Sequence, residues 1–153
     1  MDEGRGGLLP GAGRMSRTFL VCEDGAEYTD RFRRFLGQEF EFVRATHFTQ
    51  ALPLALSVRG ILLDQDFRRT EPSLLVDESG VRGARSAREL SEVQGILLLK
   101  ALRRRGVPAP ALLFADLDDE TRIAELLREL SPLQIVQSDE GLARIAARLR
   151  ALG

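Results

Sequence analysis

The sequence predicts a doubly wound α/β domain, a five-stranded parallel sheet with helices on both faces. Short apolar runs alternate with amphipathic stretches along the chain, the runs are continuously apolar, and several end abruptly in a carboxylate. Continuous apolarity implies burial on both faces, which crossover helices packed against a parallel sheet provide. A length of 153 residues suits one such domain with a sizeable core.

Thr18–Cys22 (TFLVC) is the first strand, bounded by Glu23-Asp24-Gly25. Tyr28, Phe32, Phe35 and Leu36 recur at helical spacing behind it. Asp24 and Glu27 have the D-x-x-E spacing of a capping box, so a helix is expected over 26–37. Residues 40–45 (FEFVRA) read as the second strand and 48–56 as a short helix in which Pro53 suits the first turn. Residues 60–64 (GILLD) form the third strand.

A helix over 89–105 is apolar at Leu90, Val93, Ile96, Leu97 and Ala101 and stops at Gly106. Arg103 to Arg105 in its last turn read as a solvated face that suits the helix dipole. Residues 111–115 (ALLFA) are the fourth strand, 119–130 the fourth helix and 133–137 (LQIVQ) the fifth strand. Ser138 is the expected N-cap of a final helix lined by Leu142, Ile145, Ala146, Leu149 and Leu152. Residues 1–16 are expected to be a disordered extension, leaving 17–153 as the domain.

Composition narrows the chemistry. With 22 basic and 23 acidic side chains the formal charge is -1, which argues against binding nucleic acid by counterion release. Cys22 and His47 are the sole residues of their kinds, so an internal disulfide and a Cys/His zinc site are excluded and any metal must be held by oxygen. Cys22, inside a strand, reads as a small hydrophobe, and His47 as a surface or capping residue. No run is long enough for a membrane span and Met1 to Arg14 lacks a signal-peptide core, so a cytoplasmic location is expected.

In doubly wound sheets ligands bind outside the carboxyl ends of the strands. Those positions are acidic here: Glu23 and Asp24 after the first strand, Asp64 and Asp66 after the third, Asp116 with Asp118 and Asp119 after the fourth. Hard oxygen ligands suit Mg²⁺. Asp24 is also explained as a helix cap, and Asp116, Asp118 and Asp119 as acids favoured at a helix N-terminus.

Over residues 17–152 this arrangement resembles the receiver domain of two-component response regulators. The matching pieces are FLVCED (19–24), ILLDQD (61–66) and VQGILLLKALRRRGVPAPALLFAD (93–116). The resemblance implies a flavodoxin-like sheet of order 2-1-3-4-5. It makes Glu23 and Asp24 metal-binding acids, Asp64 the phosphoacceptor, and Asp66 the residue whose backbone carbonyl completes an Mg²⁺ site. Asp64 would take a phosphoryl group as an acyl phosphate while the metal neutralises its oxygens.

Against that pattern, Ala115 stands where receivers have Ser or Thr, and Gln137-Ser138 where they have Lys before Pro. Gln134 lies at or near the aromatic switch position. Lys100, the single lysine, lies on the third helix and cannot substitute. Residues 67–89 form an insertion between the third strand and its helix, longer than ordinary connections. Its arginines, Arg68 and Arg69 first, are expected to fold over Asp64 and supply the charge that the absent lysine would give.

The resulting expectation is an atypical single-domain receiver-like signalling protein that acts through a protein partner, a sensor kinase or a second copy of itself. Its acidic pocket would be Mg²⁺-capable and its phospho-switching impaired or absent. Enzymatic activity would then be limited to phosphoryl chemistry at Asp64. The family's partner face, the fourth helix, fifth strand and last helix, would present Arg122, Glu125, Gln134 and Arg144. Two alternatives stay open: an ordinary response regulator phosphorylated at Asp64, and a haloacid-dehalogenase-type phosphatase using Asp64 and Asp66 as its D-x-D pair.

Overall fold

Residues 16–152 are described in the computed structural model; the expected N-terminal extension falls almost wholly outside them. Five strands, β1 (Thr18–Cys22), β2 (Glu41–Ala45), β3 (Gly60–Asp64), β4 (Ala111–Phe114) and β5 (Leu133–Val136), form one sheet in the order β2-β1-β3-β4-β5. Every pairing is parallel. The register sets Cys22 beside Leu63, Asp64 beside Phe114, and Phe114 beside Val136, so the carboxyl ends of four strands open on one edge.

Side-chain alternation along these strands divides the core in two. On one face Phe19, Val21, Leu62, Leu112 and Phe114 pack with Phe32 of α1 (Glu27–Leu36) and with Ile145 and Leu149 of α6 (Leu142–Ala151). This layer is aromatic: Phe19 meets Phe40 edge to face at 5.3 Å, and Tyr28 stacks on Phe114 at 4.8 Å. Such pairs add about 0.5–1.5 kcal/mol each beyond burial. On the other face Leu20, Cys22, Ile61 and Leu63 pack under α2 (Phe48–Ala55), α3 (Ala87–Glu92), α4 (Gln94–Arg104) and α5 (Glu120–Glu129). Cys22 is fully buried with its thiol pushed up to about 12 by desolvation, an inert hydrophobe as expected.

Several local expectations change. The single helix expected over 89–105 is two, because Val93 leaves helical geometry between α3 and α4. The first starts earlier, on a true capping box: the Ser86 hydroxyl accepts from Glu89 N–H, and the Glu89 carboxylate accepts from Ser86 N–H. Pro53 lies inside α2, beyond its first turn. Phe35 is 57 % exposed, with the Arg34 guanidinium over its ring.

Arg103 is no solvated cation. It is half-buried and donates to the carbonyls of Leu130, Val107, Ala109 and Pro132, tying the end of α4 to the starts of β4 and β5. Desolvation accordingly lowers its pKa.

The insertion between β3 and α3 is packed into the domain. Phe67 and Leu75 are essentially inaccessible, Val76 is buried, and Pro72–Leu74 forms one 3-10 turn. The buried Gln94 side chain holds the segment as a neighbouring strand would, accepting from Val76 N–H and donating to Val76 C=O, both at 2.9 Å. Gly95, early in α4, donates to the Gln65 carbonyl at 3.0 Å. A Cβ there would stand 2.0 Å from the Asp64 carbonyl oxygen, so glycine permits the helix to seat against the end of β3.

Candidate functional site

Glu23, Asp24, Asp64 and Asp116 all follow strand ends at one edge of the sheet, as the sequence implies. Their side chains are spent in different ways. Glu23 is 1 % exposed and turned toward α1. Its Oε1 accepts from Tyr28 N–H at 3.1 Å, and its Oε2 accepts from Thr29 N–H at 2.8 Å and the Thr29 hydroxyl at 2.6 Å. Glu23 therefore does the capping that the D-x-x-E spacing assigns to Asp24. The chain bends through residues 24–26 before the helix begins, and the N-cap position, Ala26, makes no side-chain cap bond.

Asp24 is held by the insertion. Arg69 donates its backbone N–H to Oδ2 at 2.6 Å and its Nη2 to Oδ1 at 3.3 Å. The same Nη2 lies 3.0 Å from Glu27 Oε1, and this bond holds the Glu27 carboxyl down at about 2. Arg68 turns to Asp66, its Nε 2.8 Å from Oδ2, while the Asp66 Oδ1 is buried without a partner. Neither arginine forms an ion pair with Asp64. The arginine charge expected over Asp64 is bonded instead to Asp24, Glu27 and Asp66.

Asp64 is half-buried and has no ion pair among the described residues. Burial, the main cause, raises its pKa to about 6; a backbone hydrogen bond from Gln65 opposes this, and the charges of Asp24, Glu23 and Asp66 add to it. It opens on a cavity of about 370 Å³ shared with Glu23, Glu27, Tyr28, Arg31, Arg69 and Ser138. Desolvation and the Asp64 charge push the Tyr28 phenol up to about 12.

On the β4 and β5 side, Ala115 is buried and offers no hydroxyl, and Gln137 is exposed. Ser138, expected to cap α6, instead donates its N–H to Asp116 Oδ1 at 2.7 Å and its hydroxyl to Oδ2 at 2.5 Å. The N-cap of α6 is Gly141. The Ser138 bonds hold the Asp116 carboxyl below the usual range. Asp119 is the N-cap of α5, accepting from Thr121 and Arg122 N–H. Gln134 accepts from Arg148, which also bonds Glu140.

These oxygen donors have the right chemistry for a hard cation. As arranged they do not fit one: Glu23 caps a helix, and Arg69 covers Asp24. Among the described residues no three acidic, thiol or imidazole groups converge as a metal-holding cluster. Sequence reading missed Tyr28 and Ser138 as pocket residues and Glu27 as the second partner of Arg69. Ser138, directly after β5, carried a positional signal; Tyr28 looked like core, which its stacked ring half satisfies.

No protein-family model and no curated protein matches the chain. Solved structures do. The Francisella response regulator 1452 receiver domain is similar at 18% identity and TM-score 0.61, over 87% of this chain and 93% of that one. The fold is that of response-regulator receiver domains. A two-component response regulator from Clostridium difficile matches at 14% identity and TM-score 0.61, over 88% of this chain and 93% of its own. The BeF3-activated N-terminal receiver domain of Klebsiella pneumoniae RstA matches at 18% and 0.59, over 87% and 95%. The receiver fold brings Asp64 to the end of the central strand, between Asp24 and Asp116. Among the described residues no helix is long and apolar enough to cross a membrane.

Proposed function

We propose that this chain is a receiver-fold signalling module that works by binding a protein partner, with phosphorylation at Asp64 uncoupled from any change of shape. The observation that carries this reading is the β4–β5 end of the pocket. The hydroxyl and ammonium that would read a phosphoryl group are replaced by the Ala115 methyl and exposed Gln137, and Asp116 is closed onto Ser138. A phosphoryl group on Asp64 would meet there only the Ser138 donors, already bonded to Asp116, and a switch needs an element biased by the new charge.

The proposed output surface is α5, β5 and α6. Leu126 is the single buried residue within α5, Leu127 is 37 % exposed, and the first three residues of β5 are only half-buried. Arg148 cross-links Gln134 to Glu140 on this face and holds it in one arrangement. The phosphatase alternative is weaker, since Asp66, its would-be general acid, is ion-paired with Arg68.

Photo-crosslinking from Glu125 and Arg144 in the cell of origin tests the reading. The same protein adduct, recovered equally from wild type and Asp64→Asn, is expected. An adduct that disappears with Asp64→Asn would make this a conventional phosphorylated regulator; no adduct at either position would refute the proposed surface.

A further inference from the structure

We infer that Arg69 is the resident cation of this acidic pocket, seated where the pocket would otherwise need a divalent ion, and that Arg69 and such an ion exclude one another. The inference rests on reading these acids as the receiver pocket, and deepens it.

Three independent features of the structure converge on Arg69. The first is its bonding. Both Asp24 oxygens are engaged by one residue, through the backbone N–H and through Nη2, and Nη2 is shared with Glu27. The Asp24 side chain is only 6 % exposed, so an ion could reach its oxygens only by displacing that arginine. A guanidinium fork in such a place is a permanent, weakly hydrated positive charge and needs no metal to neutralise the acids.

The second is a space made for it. A Cβ at Gly25 would lie 2.2 Å from Glu27 Oε1, 2.3 Å from Arg69 Nη2 and 2.8 Å from its Cζ, the bonded ends of that ion pair. The guanidinium thus occupies the volume that any larger residue at 25 would fill. The third is its anchoring. Arg69 follows Phe67, which is fully buried and whose N–H donates to Ser91 C=O at 2.8 Å, and precedes Leu75 and Val76, which the Gln94 amide pins. The insertion is a strap fixed at both ends that lays one arginine across the mouth of the pocket, from the end of β3 to the start of α1.

Asp64 is what remains outside this arrangement. Arg69 neutralises Asp24 and Glu27, Arg68 neutralises Asp66, and Asp64 keeps no cation of its own among the described residues. Removing Arg69 would uncover Asp24 and leave Glu23, Glu27 and Asp64 lining one cavity in which Arg31 is the remaining cation. That is the condition under which a hard dication is drawn in.

The test is a titration with MgCl₂ against an ionic-strength control of NaCl, read by amide chemical shifts and by thermal midpoint, on wild type, Arg69→Gln, Arg69→Lys and Gly25→Ala. Wild type should show no saturable Mg²⁺ response below about 10 mM. Arg69→Gln should lose stability in chelator, regain it with Mg²⁺, and bind the ion at least ten-fold more tightly than wild type. Gly25→Ala retains every charge but fills the guanidinium's space, and should acquire the same Mg²⁺ response if Arg69 is seated as described. Arg69→Lys, still cationic, should remain Mg²⁺-insensitive.

Wild-type binding as tight as that of Arg69→Gln would overturn the inference, as would Mg²⁺-indifference in both Arg69→Gln and Gly25→Ala. Should Arg69→Gln fail to fold even with Mg²⁺, Gly25→Ala alone decides. None of these results depends on a partner, so they fail separately from the crosslinking test of function.

Discussion

The two sides of the pocket hold their carboxylates in different ways. On the β1–β3 side the carboxylates are all present, and protein donors already satisfy most of them: Glu23 by the α1 N-terminus, Asp24 by Arg69, Asp66 by Arg68. On the β4–β5 side Ala115 is buried and Gln137 exposed, and Asp116 and Ser138 close on each other. One side meets its acids with donors from a helix and the insertion; the other closes an acid on the serine after β5. The partner of each carboxylate, rather than its presence alone, is the informative observation.

The contrast makes the acid side structural, so perturbing it should cost stability. The largest effect belongs to Phe67→Ala, which removes the buried ring anchoring the strap; a loss of about 3–5 kcal/mol is expected from denaturant unfolding. Should the loss be below 1 kcal/mol, the strap is not anchored as described. Glu23→Ala follows at about 2–3 kcal/mol, since a buried charged acceptor serving three donors is deleted. Glu23→Gln can still accept and should lose less.

Much of this molecule was legible in its sequence, for a physical reason. Strands buried on both faces must be apolar throughout, so TFLVC, GILLD and ALLFA announced themselves; the alternation pointed to a parallel sheet, and the strand order came from the resemblance to receivers. Bonds made at a distance left no such trace. The D-x-x-E at Asp24 is a valid local signal, but the carboxylate one residue earlier reaches the helix first. The working capping box, Ser86 to Glu89, lay inside the insertion, where no apolar period pointed to it. That Leu75 and Val76 belong to the core, while Leu74 stays exposed, depends on Gln94, 18 residues beyond Val76, and only the fold brings them together.

Asp64 gives a smaller effect of opposite sign. Its pKa is raised from the ordinary carboxylate value to about 6, so its contribution to stability is intact below about pH 4 and is lost as pH rises through 6. Asp64→Asn should therefore be more stable relative to wild type at pH 7 than at pH 4, by about 1 kcal/mol after discounting for solvent at this half-exposed group. An equal difference at both pH values would mean that neither burial nor the acidic neighbours raise the Asp64 carboxyl. The smallest effect is on the other side: Ser138→Ala removes one exposed hydrogen bond and should cost about 0.5 kcal/mol or less. A larger loss would make the Asp116–Ser138 closure a structural feature on a par with the acid side.

The central claim, that the pocket is uncoupled from the surface, is tested most directly by amide NMR of wild type and Asp64→Asn titrated with MgCl₂ and beryllofluoride, a mimic of the phosphoryl group on an aspartate. The account predicts either no Asp64-dependent shift or shifts confined to the residues around Asp24, Asp64 and Arg69. Shifts that depend on Asp64 and spread through α5, β5 and α6 would contradict it and make this chain a working switch despite Ala115 and Gln137.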